Sequence, residues 1–387
     1  MNPDPLARRL RGFGTTIFAE MTALANETGA INLGQGFPDT DPPPEVADAA
    51  VAAIRDGHNQ YPPGPGILPL REAIADHQER FYDLRVDPGT DVLVTTGATE
   101  AIAAAMISLL DPGDEVVMFE PYFDSYAAAV AMAGGVRRVV PLVLVDGAWG
   151  FDPDVLRAAI TPRTKLLLIN TPHNPTGKVL TRAESEQIAA VAIEQNLLVV
   201  TDEVYEHLVY DGVHIPLATL PGMAERTLTI SSGGKTFQCT GWKVGWIVGP
   251  EPLVTAVRTS KQFLTYVSGG PLQYGIAVGL RLGDDHFATL RERVRSERDR
   301  LAVGLAAAGF DVPTAEGGYF LTTDVADLGH TDARTFCLEL PATAGLVAIP
   351  SSVFYDDADR GRTFVRWAFC KRSEVVASAV DRLQRLR

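Results

Sequence analysis

Lys235 stands in the stretch SSGGKTFQCTGWKVGW (residues 231–246), directly after the apolar run TLTI. A lysine in this position has two chemical uses. It could end a nucleotide-binding P-loop, because Gly234, Lys235 and Thr236 match the end of GxxxxGK[ST]. It could also be a nucleophilic amine, because a lysine at the mouth of an apolar cleft has a depressed pKa and can form a Schiff base. A P-loop needs its first glycine where Thr229 stands, so the second use is favoured.

Two further stretches place polar side chains after apolar runs. VVTDEVYEH (199–207) holds Asp202 and Tyr205, and NTPHNPTGKV (170–179) holds Asn174 between two prolines. A buried carboxylate needs a cationic partner, and a protonated pyridine nitrogen is one that makes the ring an electron sink. The Asn174 amide and the Tyr205 hydroxyl could then bind a phenolate oxygen. The alternatives are a helix cap for Asp202 and a turn at Asn174, whose bond to proline is open to the cis form.

An anion site is indicated by TTGATEAIAAA (95–105), which reads as a strand, a Gly-Ala-Thr turn and a helix. The free N–H groups and the dipole at a helix N-terminus attract anions. Thr99 is explained equally well as the N-cap of that helix with nothing bound. Ser232 and Lys243 flank Lys235 and would supply a hydroxyl and a cation to the same phosphate.

Arg366 lies in the apolar stretch TFVRWAFCK (363–371). Its planar guanidinium suits a bidentate clamp on a substrate carboxylate, whereas the alternative is an edge-strand arginine that extends into solvent. Jointly, these side chains predict one ligand, an aldehyde-bearing pyridine with a phosphate and a phenolate oxygen. That ligand is pyridoxal phosphate (PLP).

The elements that must position these residues are short apolar runs with helical segments between them. The runs are VLVTTG (92–97), EVVMFEP (115–121), KLLLIN (165–170), LLVVTDE (197–203), TLTISS (227–232) and VGWIVG (244–249). Near-continuous apolar runs are typical of strands buried on both faces, so the pattern predicts βαβ units with a mainly parallel sheet. Ligands bind at the carboxyl ends of such strands, where the candidate residues stand. After about residue 275, a charged helical stretch (286–309) and shorter strands indicate a second, smaller domain.

Composition narrows the class of partner. The chain has 387 residues, 46% of them hydrophobic, and a formal net charge of −14, which disfavours nucleic acid and anionic membranes as partners. The longest apolar run, AIAAAMISLL (101–110), is shorter than the roughly 20 residues that a bilayer requires. The three cysteines form no CxxC and no zinc spacing, and the N-terminus has no apolar signal region, so a reduced cytoplasm and no metal are expected.

Three motifs, HNPTGK, DEVYE and SSGGKTFQCTGWKVGW, occur in this order, and with them the chain resembles the class I/II aminotransferases of PLP fold type I. The resemblance runs from about residue 32 to Arg366. NLGQGFPD, NQYPPGPG and EPYFDSY are similar to one branch of that family. The branch contains kynurenine/glutamine aminotransferases, methionine aminotransferases and actinobacterial enzymes assigned as N-succinyldiaminopimelate aminotransferases, and the last group looks nearest.

The resemblance implies a role for each matching residue. Lys235 would bond to the cofactor and move the α-proton, with Asp202 and Tyr205 as the other catalytic residues. The implied cofactor-binding residues are Ala98, Thr99, Phe123, Asn174, Asp202, Tyr205, Ser232, Lys235, Lys243 and, from the neighbouring subunit, Tyr61. The implied substrate-binding residues are Gly36, Asn174, Arg366 and Phe18. Lys243 stands where aspartate aminotransferases have arginine, so its phosphate contacts should be less bidentate.

The resemblance also implies the fold and the reaction. An α/β architecture is expected, with a mainly parallel seven-stranded sheet between helices in a large domain (44–277). A smaller α+β domain (278–387) would pack with an N-terminal segment (1–43). The enzyme would move an amino group from an L-amino acid to a 2-oxo acid with ping-pong kinetics, as a homodimer with shared active sites. Two alternatives use the same cofactor: a cysteine-conjugate β-lyase, which would release pyruvate and ammonia, and a PLP-binding regulator without turnover.

Overall fold

The structure is a computed structural model that describes residues 6–386, so the first five residues of the expected N-terminal segment lie outside the described residues. The strands are β1 (Ile31–Asn32), β2 (Val92–Thr95), β3 (Glu115–Glu120), β4 (Val136–Pro141), β5 (Val143–Val145), β6 (Ala148–Gly150), β7 (Thr164–Asn170), β8 (Leu198–Asp202), β9 (Thr227–Ser232), β10 (Gly245–Val248), β11 (Phe320–Asp324), β12 (Leu346–Val347), β13 (Ile349–Pro350) and β14 (Phe364–Ala368). The α-helices are α1 (Ile17–Thr28), α2 (Pro44–Arg55), α3 (Leu68–Tyr82), α4 (Gly97–Leu109), α5 (Asp124–Met132), α6 (Pro153–Ala159), α7 (Arg182–Glu194), α8 (Gly233–Thr236), α9 (Glu251–Lys261), α10 (Gly270–Leu280), α11 (Asp284–Ala307), α12 (Ala333–Thr343) and α13 (Ser373–Leu383).

Seven strands of the described chain form one sheet, in the order β2-β10-β9-β8-β7-β3-β4. Strand β10 runs antiparallel to both of its neighbours, and the other pairs are parallel. All six apolar runs of the sequence are strands of this sheet, so the predicted α/β fold with a mainly parallel seven-stranded sheet is confirmed.

Side chains of one strand supply two different cores, which explains why the runs are continuously apolar. Leu166 and Leu168 of β7 pack on one face of the sheet, with side chains of α4 and α5. Leu167 and Ile169 pack on the other face, with side chains of α7. Burial of one such side chain contributes about 1.5–3 kcal/mol to the stability of the fold, so packing on both faces stabilises the sheet.

A smaller unit is built around the sheet β11-β14-β13, with α11 packed against α13. The N-terminal part of the chain joins it, because β1 pairs in parallel with β12 and Met21 and Leu33 share its hydrophobic core. The sequence places the boundary between the two domains at residues 277 and 278, and this position lies inside helix α10 (Gly270–Leu280). The division of the chain into domains stays a prediction.

No helix in residues 6–386 is both long enough and apolar enough to cross a membrane.

Candidate active site

A cavity of about 390 Å³ lies where β2, β7, β8 and β9 end. The predicted site residues that line it are Phe18, Gly36, Ala98, Thr99, Phe123, Asn174, Asp202, Tyr205, Ser232, Lys235, Lys243 and Arg366. They come from separate segments of the chain, and the sheet brings them together because its parallel strands end at one edge.

Lys235 lies in α8, the single turn that follows β9. Its Nζ donates a hydrogen bond to the Gly36 carbonyl oxygen at 2.9 Å and lies 5.5 and 5.6 Å from the ring centroids of Tyr205 and Tyr319. The Tyr319 hydroxyl donates to the Lys235 carbonyl oxygen at 2.7 Å, which holds the backbone in place. Burial lowers the pKa of Lys235 to about 8. About a tenth of this amine is therefore neutral, and nucleophilic, at pH 7, far more than for an ordinary lysine.

Asp202 is the last residue of β8 and is 5% exposed. One carboxylate oxygen accepts a hydrogen bond from the Tyr126 hydroxyl at 2.6 Å, and the other accepts a long one from the Val204 N–H. No helix begins directly after Asp202, since the next helical turn starts at Leu217, so the helix-cap alternative is wrong. Burial raises the pKa of Asp202 to about 6, and no ion pair with Asp202 is found among residues 6–386. A buried carboxylate without a cation suits a ligand that brings one.

Tyr126 is a positioning residue that could not be identified from the sequence, although it stands in the first turn of α5, three residues after the N-cap Phe123. We expect Tyr126→Phe to raise the pKa of Asp202 further, because the lost hydrogen bond stabilises the ionised carboxylate. The acid limb of the kcat/KM profile should then move to higher pH, and kcat should fall about tenfold. Tyr355→Phe, in the smaller unit, is the control. An unchanged acid limb would show that the hydrogen bond does not tune Asp202.

Asn174 is held by the loop that follows β7. Its backbone N–H donates to the side-chain oxygen of Asn170 at 2.7 Å, and the Asn170 amide donates to the Asp202 carbonyl oxygen at 2.8 Å. The side-chain oxygen of Asn174 accepts from Arg366 at 2.9 Å, so its amide nitrogen is the group left for a ligand. The Asn174–Pro175 bond is cis. Asn170 also lines the cavity and links this loop to β8, a role that the sequence analysis missed.

The phosphate end of the cavity lies at the start of α4. Helix α4 begins at Gly97 with Thr96 as its N-cap, so the interpretation of Thr99 as the N-cap is wrong. The Lys243 ammonium lies 3.5 Å from the Thr99 hydroxyl. A Cβ on Gly245 would come within 2.7–2.8 Å of the Gly97 and Ala98 backbone, so only glycine lets β10 approach the start of α4 this closely.

Arg366 lies on β14, the central strand of its sheet, and is 1% exposed, so the edge-strand alternative is wrong. Its two terminal nitrogens donate to Asn174 and to the Gly34 carbonyl oxygen, and its Nε has no partner. The guanidinium carbon lies 4.0 Å from the ring centroid of Phe320. Burial lowers the pKa of Arg366 to about 10. A buried cation that pairs with no carboxylate in the described chain is suited to a carboxylate substrate.

Two sides of the cavity are closed by apolar groups and backbone. The rings of Phe18 and Phe123 lie 6.3 Å apart between their centroids. A Cβ on Gly36 would lie 2.3 Å from the ring of Phe320, so the backbone reaches this position only as glycine. Gly36, an implied substrate-binding residue, lines the cavity, and its carbonyl oxygen accepts the hydrogen bond from Lys235.

Tyr61 does not line the cavity of its own chain. It is 81% exposed, and its ring centroid lies 5.6 Å from that of Tyr266, which is 50% exposed. Within a single chain, Tyr61 therefore lies apart from the other predicted site residues.

Pyridoxal phosphate fits the donors of the cavity. A buried carboxylate that lacks a cation, Asp202, suits a protonated ring nitrogen, and the backbone turn at Gly97 with Lys243 suits a phosphate. Lys235 supplies an amine with a lowered pKa for the aldehyde. The ring nitrogen, the phosphate and the aldehyde of the cofactor thus each have a complementary group in the cavity.

Comparison with known proteins gives matches along nearly the whole chain. The model of the family described as aminotransferase class I and II matches residues 28–383. A probable N-succinyldiaminopimelate aminotransferase of Mycobacterium tuberculosis is 52% identical over 97% of each chain, and the methionine aminotransferase of Escherichia coli is 38% identical over 100% of this chain and 99% of its own. The solved structure of the N-succinyldiaminopimelate aminotransferase from Mycobacterium tuberculosis superposes with a TM-score of 0.97, at 53% identity, over 99% of this chain and all of that one.

Proposed function

The chain belongs to the class I and II aminotransferases, and from that premise we propose that N-succinyldiaminopimelate is its amino acid substrate. The enzyme is a PLP-dependent aminotransferase that acts on amino acids and 2-oxo acids. The observation that carries the chemistry is the cavity shared by the Lys235 amine, the Asp202 carboxylate and the Arg366 guanidinium. The 52% identity to the mycobacterial relative supports the choice of substrate.

We assign the chemical roles to the residues that line this cavity. Arg366 binds the α-carboxylate of the substrate, which places the α-carbon near Lys235. The neutral amine of Lys235 would take the α-proton and deliver it to the carbon of the cofactor that carried the aldehyde, as a general base and then a general acid. Bound PLP supplies an electron sink for the charge left on the α-carbon. Asp202 holds the ring nitrogen protonated, Asn174 and Tyr205 hold the phenolate oxygen, and the phosphate is bound by Ala98, Thr99, Ser232 and Lys243.

We expect Arg366→Lys to lower kcat/KM for an amino acid about 100-fold, mainly through KM, because lysine cannot form the two parallel hydrogen bonds of a guanidinium. The preference for the amino acid over the corresponding amine without a carboxylate should shrink by the same factor. A merely structural role would weaken both substrates equally. Arg334→Lys, at an exposed position, is the matched control. Unchanged selectivity would contradict the assignment.

The substrate is tested by single turnover of the purified, yellow holoenzyme. Glutamate, glutamine, methionine, kynurenine and N-succinyldiaminopimelate are added one at a time, without an acceptor, and the visible absorbance of the cofactor is followed. N-succinyldiaminopimelate should bleach the band at low concentration and yield the matching oxo acid. Bleaching by methionine or kynurenine alone would reject this substrate while leaving the aminotransferase activity intact.

We further propose that two chains form a dimer in which Tyr61 reaches the cofactor phosphate bound by the partner. Tyr61, Phe263 and Tyr266 are exposed, and Phe263 is 83% exposed. Thr265, between the last two, contacts Thr96 at the start of α4, so these exposed rings lie beside the phosphate end of the cavity. Burial of exposed aromatic side chains in a two-fold interface would stabilise a dimer.

Mixed dimers test this proposal. Tyr61→Ala and Lys235→Ala chains carry different tags, are co-expressed, and the mixed dimer is isolated. If Tyr61 acts across the interface, one site contains both native residues, and the mixed dimer should show about half of the wild-type activity. If Tyr61 acts within its own chain, neither site is complete, and activity should not exceed half that of the Tyr61→Ala homodimer. A monomer in sedimentation would also contradict the proposal.

A further inference from the structure

A second group of buried ligand-type side chains lies outside the cofactor cavity. His77 comes from α3, and Glu206 and His207 come from the turn that follows β8. One potential ligand atom from each residue lies within 4.8 Å of the others, and the Nε2 atoms of His77 and His207 are 2.7 Å apart. Glu206 is adjacent in sequence to Tyr205, yet none of these three side chains lines the cavity.

The buried carboxylate of this group lacks a permanent positive partner. Glu206 is 6% exposed, and its two oxygens accept hydrogen bonds from the hydroxyls of Tyr82, at 2.6 Å, and Ser231, at 2.5 Å. Both donors are neutral. No lysine or arginine forms an ion pair with Glu206 in the described part of the chain. A carboxylate is costly to bury in this way unless a cation neutralises it.

The two histidines are placed as neutral nitrogen ligands. A hydrogen bond between two imidazole nitrogens requires an acceptor, so at least one ring is unprotonated. The other nitrogen of His77, Nδ1, has no partner.

Two imidazoles and one carboxylate form a ligand set of Zn²⁺ sites, with a fourth position for water or another oxygen. A tetrahedral ion with bonds of about 2.0–2.1 Å holds two nitrogen ligands roughly 3.3 Å apart. The Nε2 atoms of His77 and His207 would have to separate by about 0.6 Å, which a small rotation of one ring provides. His207 is half-buried.

The surroundings of the group favour a bound ion over solvation by water. The ring of Phe287 lies 4.3 Å from that of His207, and the ring of Phe81 lies 4.8 Å from that of His77. The nearby Arg80 forms an ion pair with Asp284, which reduces its repulsion of a cation. Apolar walls around polar ligands strengthen their electrostatic interaction with an ion.

We propose that His77, Glu206 and His207 bind one divalent transition-metal ion of the zinc class. The sequence carries no metal-binding spacing, because the ligands come from two segments that only the fold brings together. The site is independent of the cofactor cavity and of the identity of the substrate.

Spectroscopic titration of the holoenzyme with Co²⁺, after treatment with a chelator, tests this site. Wild-type enzyme should take up one Co²⁺ per chain with the visible bands of tetrahedral cobalt, and Zn²⁺ should displace it. His77→Gln and His207→Gln should each weaken binding by about 100-fold. The exposed His330→Gln, as the control, should bind like wild type.

Two results would overturn the proposal. One is no stoichiometric uptake, which leaves His77 and His207 as a hydrogen-bonded pair. The other is uptake that persists in the double His77→Gln, His207→Gln variant, which places the ion elsewhere. If these variants do not fold, X-ray absorption on wild-type enzyme with one equivalent of Zn²⁺ replaces them. Two imidazole ligands support the site, and a shell of oxygen alone rejects it.

Discussion

Lys235→Ala is expected to abolish transamination and to lower kcat by at least about 10⁴-fold, because one change removes both the nucleophile and the general base and acid. The amine lies inside the cavity with its pKa lowered to about 8 by burial, and no other lysine of the cavity shares this position. Lys243, the second lysine that lines the cavity, contacts Thr99 at the phosphate end and is not placed to substitute.

The measurement is a single-turnover assay of Lys235→Ala beside wild type, with circular dichroism and thermal unfolding as checks on the fold. Lys235 forms no ion pair in the described chain, so its removal should leave the fold intact. Lys165→Ala, at an exposed position on β7, is the matched control and should keep full activity. A small primary amine added to the Lys235→Ala enzyme should restore part of the proton transfer, more so at higher pH. Substantial turnover without added amine would remove Lys235 from its assigned role.

The large sheet could be predicted from the sequence because its central strands are buried on both faces. Residues 166–169 are continuously apolar and residues 227–232 are apolar or small, and both lie in strands. Strand β4 escaped prediction because it lies at the edge of the sheet, where Arg137 and Arg138 interrupt the apolar pattern. Most residues of β4 are exposed or half-buried, so it lacks the apolar signal of its neighbours, whereas β2, at the other edge, is buried throughout and was predicted from its apolar run.

The candidate site could be predicted from the sequence as a set of residues at strand ends. The contacts that shift the pKa values of these residues could not be predicted. Lys235, Asp202 and Asn174 each follow an apolar run, and the rule for parallel sheets brings them together. The hydrogen bond from Tyr126 to Asp202 joins residues from different elements, so no local pattern encodes it. Arg366 was open to an edge-strand interpretation because a five-residue strand does not reveal its place in the sheet.

The carboxylate of Asp202 costs stability in the chain without cofactor, and Asp202→Asn should reveal that cost. Burial raises the pKa of Asp202 from 3.8 to about 6, so ionisation is less favourable in the folded chain than in the unfolded chain. The stability contributed by the protonated carboxyl is therefore present below about pH 4 and is lost as pH rises through about 6. Above that range, Asp202→Asn should be about 2–3 kcal/mol more stable than wild type without cofactor, and below pH 4 the difference should vanish.

The same substitution should lower kcat by about 10³-fold, because an amide cannot supply the charge that holds the ring nitrogen protonated. Asp202→Glu, which keeps the charge but moves it, should lose less. Denaturant unfolding without cofactor measures the stability difference, and single-turnover kinetics with saturating cofactor measure the rate. Asp356 is an ion-paired carboxylate in the smaller unit, and Asp356→Asn is the control for both measurements. A variant that gains stability and loses turnover would identify Asp202 as a charge kept for the ligand. A variant with near-wild-type kcat would show that the ring nitrogen does not depend on Asp202.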